Sequence, residues 1–125
     1  MPRVLVVDDN PINVDLAMFV LRAQGFEVEC AGSAEEAVAR ARSFRPDMIL
    51  MDIQMPDVDG LEAVRRLRAD SAMQDVAVIA FTAYAMKGDE QKLRAAGCDG
   101  YIAKPIDVAS FGQTVLGLVG ARKTA

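Results

Sequence analysis

The chain of 125 residues contains no histidine and only two cysteines, Cys30 and Cys98. The absence of histidine excludes a histidine general base or nucleophile, and it removes the usual ligand sets for Zn²⁺. The two cysteines form no CxxC pair, and we expect both to be small, buried hydrophobic residues. This use of cysteine is typical of a reducing, cytoplasmic setting.

The sequence also lacks the features of a targeting or membrane segment. It shows no leader with a charged start and an apolar centre, and no uncharged apolar run approaches the roughly 20 residues of a membrane span. The formal net charge of −4 means that the chain as a whole repels a nucleic-acid backbone. We therefore expect a cytoplasmic protein that takes neither a membrane nor a nucleic acid as its partner.

The overall composition, with 52% hydrophobic and 26% charged residues, is typical of an ordinary globular domain. The length predicts a single domain over residues 1–125. Five short apolar segments alternate with segments of helical periodicity, and this pattern predicts an α/β fold with a parallel sheet and helices on both faces. The predicted strands are residues 3–8, 26–30, 76–81 and 100–104, with the third strand inside 47–57.

Capping residues and apolar spacing predict the helices between these strands. Asn10 followed by Pro11 is typical of a helix start, and Gly25 stands where that helix should end. The spacing predicts that this first helix buries one apolar stripe, consisting of Ile12, Leu16, Phe19, Val20 and Ala23.

Ser33 and Glu36 have the spacing of a capping box. Further helices are predicted around residues 61–67, over 89–97, and from Asp107 to near Val119. We assign the arginines of "RRLR" (65–68) to the solvent-exposed face of the helix around residues 61–67.

Polar side chains follow four of the predicted strands at the point where each strand ends. They are Asp8, Asp9, Asp52, Thr82 and Lys104. Each of them alone is an ordinary strand-exit residue, but parallel strands bring all of their carboxyl ends to one edge, where open α/β sheets bind ligands. Three crowded carboxylates repel one another and favour a hard cation, while the hydroxyl and amino groups suit a phosphoryl group.

The motifs that carry these residues resemble the receiver domains of two-component response regulators over essentially the whole chain. They are "VLVVDDNPIN", "PDMILMDIQMPDVDG", "VIAFTAYA" and "GYIAKPI". The resemblance implies a doubly wound, flavodoxin-like sheet of five strands in the order 2-1-3-4-5. It is greatest to the single-domain cell-cycle regulators, and it extends to the receivers of hybrid histidine kinases.

The resemblance also implies the roles of the site residues. Asp52 would accept the phosphoryl group. Asp9, Asp52 and the backbone carbonyl of Gln54 would hold Mg²⁺, with Asp8 acting through water. Groups that contact the phosphoryl oxygens would be Lys104, the hydroxyl of Thr82 and the backbone N–H of Ala83. Thr82 and Tyr101 would together form a conformational switch.

The same resemblance implies an upstream histidine kinase or histidine phosphotransfer protein and an unidentified downstream protein. It implies that the protein is not an enzyme and catalyses only its own phosphorylation and slow dephosphorylation. One alternative is a receiver excised from a hybrid histidine kinase, and another is a degenerate receiver that only binds partners. A third is a phosphatase of the haloacid-dehalogenase type, which needs a second acid where this chain has Gln54 and a cap domain that 125 residues leave no room for.

Overall fold

A computed structural model describes residues 2–53, 60–70, 73–82, 89–103, 107 and 109–118. In this part of the chain, strands and helices alternate in the predicted order. The strands are β1 (Arg3–Val7), β2 (Glu27–Ala31), β3 (Met48–Asp52), β4 (Ala77–Thr82) and β5 (Gly100–Ala103). The helices are α1 (Pro11–Ala23), α2 (Ala34–Phe44), α3 (Gly60–Ala69), α4 (Asp89–Ala96) and α5 (Phe111–Leu118). None of these helices has the length and apolar character needed to cross a membrane.

The five strands form one parallel sheet in the order β2-β1-β3-β4-β5, which confirms the predicted fold class. Strand β1 lies between β2 and β3, and its last residue, Val7, pairs with Ala31 on one side and Met51 on the other. Asp52 at the end of β3 pairs with Phe81 of β4. This register places the carboxyl ends of β1 and β3 side by side.

The continuous apolar runs of the central strands serve two hydrophobic cores, because successive side chains of a strand point to opposite faces. Val4 and Val6 of β1 pack into a core with residues of α1 and α5, while Leu5 and Val7 pack into a core with residues of α2, α3 and α4. Four of the five residues of β1 and all five of β3 are buried. The two helical layers therefore hold the strands that carry Asp8 and Asp52.

The ends of α1 follow the predicted capping signals. The Asn10 side chain accepts a hydrogen bond from the backbone N–H of Ile12 at 2.9 Å, and Pro11 occupies the first helical position. At the other end Gly25 has φ +93°, a conformation that favours glycine. Its N–H donates to the carbonyl of Arg22 at 3.0 Å, which helps to turn the chain towards β2.

The capping box at α2 is confirmed on one side only. The Ser33 hydroxyl accepts from the backbone N–H of Glu36 at 3.2 Å, as predicted. The Glu36 carboxylate accepts from the N–H of Gly32 at 3.3 Å, one residue before the expected position. It also accepts from Arg40, and this hydrogen bond is the largest cause that lowers the pKa of Glu36.

The predicted inner face of α1 is partly wrong. Ile12 and Phe19 are 75% and 72% exposed, and Ala23 is exposed as well. The fully buried residues of this helix are Ala17, Val20 and Leu21. Apolar residues occur on almost every side of α1, so its periodicity does not determine which side faces the sheet.

The assignment of "RRLR" to a solvated face is also partly wrong. Arg65 and Arg66 are exposed, but the Arg68 side chain is only 11% exposed. Its guanidinium donates to the Asp99 carboxylate at 2.6 Å and to the carbonyl of Gly97 at 2.9 Å. It also donates to the Val76 carbonyl at 2.7 Å. Arg68 thus joins the end of α3 to the segments that lead into β4 and β5.

Substitution of Arg68 by methionine is expected to destabilise the domain strongly. The change keeps most of the side-chain volume but leaves the nearly buried Asp99 carboxylate without its guanidinium partner, a loss of about 3–5 kcal/mol in the free energy of unfolding. Urea unfolding followed by circular dichroism measures it. Arg42→Met is the matched control, since Arg42 pairs with Asp70 at 2.9 Å with its own side chain 66% exposed, and its loss should cost about 0–1 kcal/mol. Equal effects of the two substitutions would contradict the structural role given to Arg68.

Candidate functional site

Three carboxylates meet at the carboxyl edge of the sheet. Asp8 and Asp9 directly follow β1, and Asp52 is the last residue of β3. One carboxylate oxygen from each of the three side chains lies within 4.8 Å of the other two. The structure therefore brings together the three acidic residues that the sequence pattern predicted to be neighbours.

The three carboxylates differ in their exposure to solvent. Asp52 and Asp8 are only 2% and 3% exposed, whereas Asp9 is exposed. The backbone N–H of Asp8 donates to the Ala31 carbonyl at 3.1 Å, which continues the pairing of β1 with β2. One Asp8 oxygen accepts from the N–H of Asn10 at 2.9 Å, so the capping residue of α1 also helps to fix this carboxylate.

The electrostatics of this cluster favour a cation. Two carboxylates at about this separation repel each other by roughly 3–4 kcal/mol for an effective dielectric constant of about 20. Asp8 and Asp52 lie where water can screen this repulsion only weakly, because both are buried. A donor set made of carboxylate oxygens suits Mg²⁺ or Ca²⁺ and contains no soft ligand. The residues present thus fit a hard divalent metal ion.

A cleft of about 380 Å³ lies against the acidic cluster and is open to solvent. Cys30 of β2 lines this cleft and is half-buried, so the expectation that both cysteines are buried is wrong for Cys30. Cys98 is buried as expected, and burial raises the pKa of its thiol to about 11. The residues that line the cleft are Asp8, Asp9, Pro11, Val14, Asp15, Cys30, Ala31 and Gly32.

Sequence reasoning missed several lining residues, of which Cys30 and Asp15 carry reactive or charged side chains. The alternation of β2 as an edge strand was the available signal for Cys30, since every second residue of such a strand faces away from the core. For Asp15 the signal was its place in the second turn of a helix that begins beside Asp9. Neither signal was specific, because both depend on how α1 is oriented against the sheet.

The other predicted site residues are placed only in part. Thr82 is the last residue of β4, and Tyr101 on β5 pairs with Ala80, two residues earlier along β4. Tyr101 is 42% exposed. The predicted positions outside the described residues are Gln54, Ala83 and Lys104.

Comparison with known protein families gives a match over most of the chain. The model of the response regulator receiver domain matches residues 4–115. The polar-differentiation response regulator DivK of Brucella anthropi is 45% identical over 121 residues, which cover 96% of this chain and 98% of that protein. DivK of Brucella abortus is 44% identical over 117 residues, or 94% of this chain and 95% of that protein.

Solved structures with the same architecture include two informative neighbours. The chemotaxis protein CheY4 of Vibrio cholerae matches with a TM-score of 0.89 and 30% identity, over 94% of this chain and 98% of that one. The receiver domain of the sensor histidine kinase PA1611 from Pseudomonas aeruginosa matches with a TM-score of 0.84 and 35% identity, over 95% and 98%. That receiver domain has a magnesium ion coordinated in its active site cleft.

Mg²⁺ is expected to stabilise the folded wild-type protein. The Asp9→Asn variant is expected to be more stable than the wild type without Mg²⁺ but to gain much less stability when Mg²⁺ is added. Without metal, the substitution removes repulsion and should raise the unfolding temperature above that of the wild type. At a concentration about ten times its Kd, Mg²⁺ should stabilise the wild type by about 1.4 kcal/mol and the variant much less.

Thermal unfolding with and without Mg²⁺ measures both effects. Asp75→Asn is the control, because Asp75 is exposed near the amino-terminal end of β4, away from the cluster. This control should match the wild type under both conditions. An Asp9→Asn protein that is less stable than the wild type without metal, yet equally stabilised by Mg²⁺, would contradict a metal site at the three carboxylates.

Proposed function

Because this chain belongs to the response regulator receiver domain family of two-component signalling, we propose that it is a phosphoryl-accepting regulator with Asp52 as the acceptor. The observation that carries the proposal is the position of Asp52. Its carboxylate is buried at the end of the central strand and lies within 4.8 Å of those of Asp8 and Asp9. Asp52 is thus the acid at the centre of the sheet edge that faces both of the others.

In the proposed reaction, a carboxylate oxygen of Asp52 attacks the phosphorus of a phosphohistidine on an upstream histidine kinase or histidine phosphotransfer protein. A P–O bond forms as the P–N bond breaks, and the electron pair returns to the imidazole, which takes up a proton. The Lys104 amine, the Thr82 hydroxyl and the Ala83 N–H would contact the phosphoryl oxygens. Positioning and charge neutralisation supply most of the catalysis in such a transfer.

We further propose that Mg²⁺ is the cofactor and that Asp9, Asp52 and the Gln54 backbone carbonyl are its ligands, with Asp8 acting through water. The bound ion would neutralise the charge that gathers between the carboxylates and the incoming phosphoryl group. The oxygen-rich cluster supports this assignment, as does the magnesium ion in the receiver of PA1611. The hydrogen bond from Asn10 to Asp8 would keep that carboxylate oriented towards the site.

We propose that phosphorylation of Asp52 acts on the downstream protein through a conformational change in β4 and β5. A phosphoryl group on Asp52 would gain a hydrogen bond from Thr82 only in one conformation, and this difference in affinity shifts the equilibrium between conformations. Tyr101 lies on the neighbouring strand and is partly exposed, so a change in its orientation would alter the surface formed by α4, β5 and α5. That surface is the proposed contact for the downstream protein.

Two versions of the output remain candidates, and each has a specific observation in its favour. The identity of 45% to DivK over nearly the full length favours a single-domain regulator that controls a protein partner. The identity of 35% to the receiver of a sensor histidine kinase favours a receiver that passes its phosphoryl group onward. A transfer experiment separates the two candidates. Transfer of the phosphoryl label from Asp52 to a histidine phosphotransfer protein would favour the relay, and retention of the label would favour the regulator that controls a protein partner. A turnover enzyme of the haloacid-dehalogenase type is disfavoured by Gln54, an amide where that chemistry needs an acid.

Asp52→Ala is expected to abolish phosphorylation by a small phosphodonor in the presence of Mg²⁺, because the attacking oxygen is gone. Intact-protein mass spectrometry measures the added phosphoryl group. Asp75→Ala, an exposed acid remote from the cluster, should be labelled like the wild type, and a chelator should prevent labelling of both. Stoichiometric labelling of the Asp52→Ala protein would disprove the assignment of the acceptor.

Thr82→Ala is expected to separate phosphorylation from its conformational effect. The variant should still accept a phosphoryl group at Asp52, but it loses a charge-assisted hydrogen bond of about 1.5–3 kcal/mol, which corresponds to a bias of roughly ten- to a hundredfold. Amide chemical shifts of β5 and α5, with and without phosphorylation, measure the change without knowledge of the partner. Thr82→Ser keeps the hydroxyl and should respond like the wild type. Equal shifts in the phosphorylated alanine variant and wild type would contradict the proposed switch.

A further inference from the structure

The solvent-facing side of α1 carries an apolar surface that the acidic site does not use. Ile12 and Phe19 are two of the four large hydrophobic side chains exposed in the described part of the chain. They are seven residues apart, or about two helical turns, so they lie on the same side of α1. Met18 and Ala23 adjoin Phe19 along a shallow groove on this side.

Two opposite charges flank the exposed phenylalanine on the same side of the helix. Asp15 and Arg22 line the groove together with Phe19, and both are exposed. Among the described residues, neither of the two takes part in an ion pair. They are seven residues apart, a distance of about 10.5 Å along the axis, which is too far for them to pair with each other.

This arrangement complements a second copy of itself. The midpoint between Asp15 and Arg22 falls between Met18 and Phe19. A twofold axis through that midpoint, perpendicular to α1, would place Asp15 of each copy opposite Arg22 of the other and the two Phe19 rings near the axis. Such a contact is isologous, with the same patch used on both copies.

We propose that the exposed side of α1, formed by Ile12, Asp15, Phe19 and Arg22, is a self-association surface on which two copies of this chain pack with their α1 helices antiparallel. An apolar centre flanked by charged pairs is the usual anatomy of a protein interface. Self-complementary charge favours a second copy over an unrelated helix, which would need an acid and a base of its own at matching positions. A contact of one helix from each chain is small, so the dimer is weak.

The position of this surface gives the association a consequence. Asp15 lines both the groove on α1 and the cleft beside the acidic cluster. A second copy on α1 would stand next to that cleft and compete with any protein that reaches the carboxylates across α1. The association itself does not depend on phosphorylation of Asp52, so its test is separate from that of the proposed function.

Sedimentation equilibrium of the unphosphorylated full chain tests the proposal between about 10 µM and about 1 mM, the range of weak association. The average mass should rise towards that of a dimer as the concentration increases. Phe19→Ser should weaken the association at least about tenfold, as expected for a central aromatic residue. Leu116→Ser removes an exposed apolar side chain on α5, outside the groove, and should leave the association unchanged. A wild-type protein that stays monomeric over the whole range would overturn the proposal.

Exchange of the two charges identifies the symmetry of the contact. Asp15→Arg alone and Arg22→Asp alone each bring like charges together across the twofold axis, and each should weaken the association. The double substitution restores opposite charges at both positions and should restore the association to within a few-fold of the wild type. A double variant that associates as weakly as either single variant would rule out the antiparallel arrangement.

Discussion

The fold holds three mutually repelling carboxylates close together at the ends of β1 and β3. Asp8 and Asp52 are almost fully buried, and one oxygen atom from each of them and one from Asp9 lie within 4.8 Å of one another. An isolated chain segment would relieve such crowding by moving. Here β1 and β3 pair directly in register, and hydrophobic cores on both faces of the sheet hold them in place. The cores thus maintain a site whose carboxylates repel one another unless a cation lies between them.

The amino-terminal and carboxyl-terminal ends of the parallel strands have different roles. At the amino-terminal ends of β4 and β5, the Arg68 guanidinium binds Asp99 and three backbone carbonyls that belong to the connections into these strands. At the carboxyl ends, the strands carry the acidic cluster and Thr82. The amino-terminal ends of β4 and β5 are thus tied to α3 through one buried guanidinium.

Most of the fold and the centre of the site could be predicted from the sequence. Alternating strands and helices gave the architecture, and the acidic residues at the strand ends could be placed together because parallel strands end at one edge. The orientation of α1 could not be predicted, since Ile12 and Phe19 are as apolar as the residues it buries. The inward position of Arg68 depends on Asp99, which is 31 residues away in the sequence, and on carbonyls that only the folded chain brings together. Exposure of Cys30 in the cleft depends on how α1 lies against β2.

The role of Asp52 as the acceptor is tested by locating the phosphoryl group itself. The phosphorylated wild-type protein is reduced with borohydride, which converts an acyl phosphate on an aspartate to the alcohol, and peptide mapping by mass spectrometry then identifies the modified residue. We predict a single modified position, Asp52, and no modification when Mg²⁺ is removed by a chelator before the phosphodonor is added. Modification at any other acid in the chain, or at Asp52 without a divalent ion, would contradict this prediction.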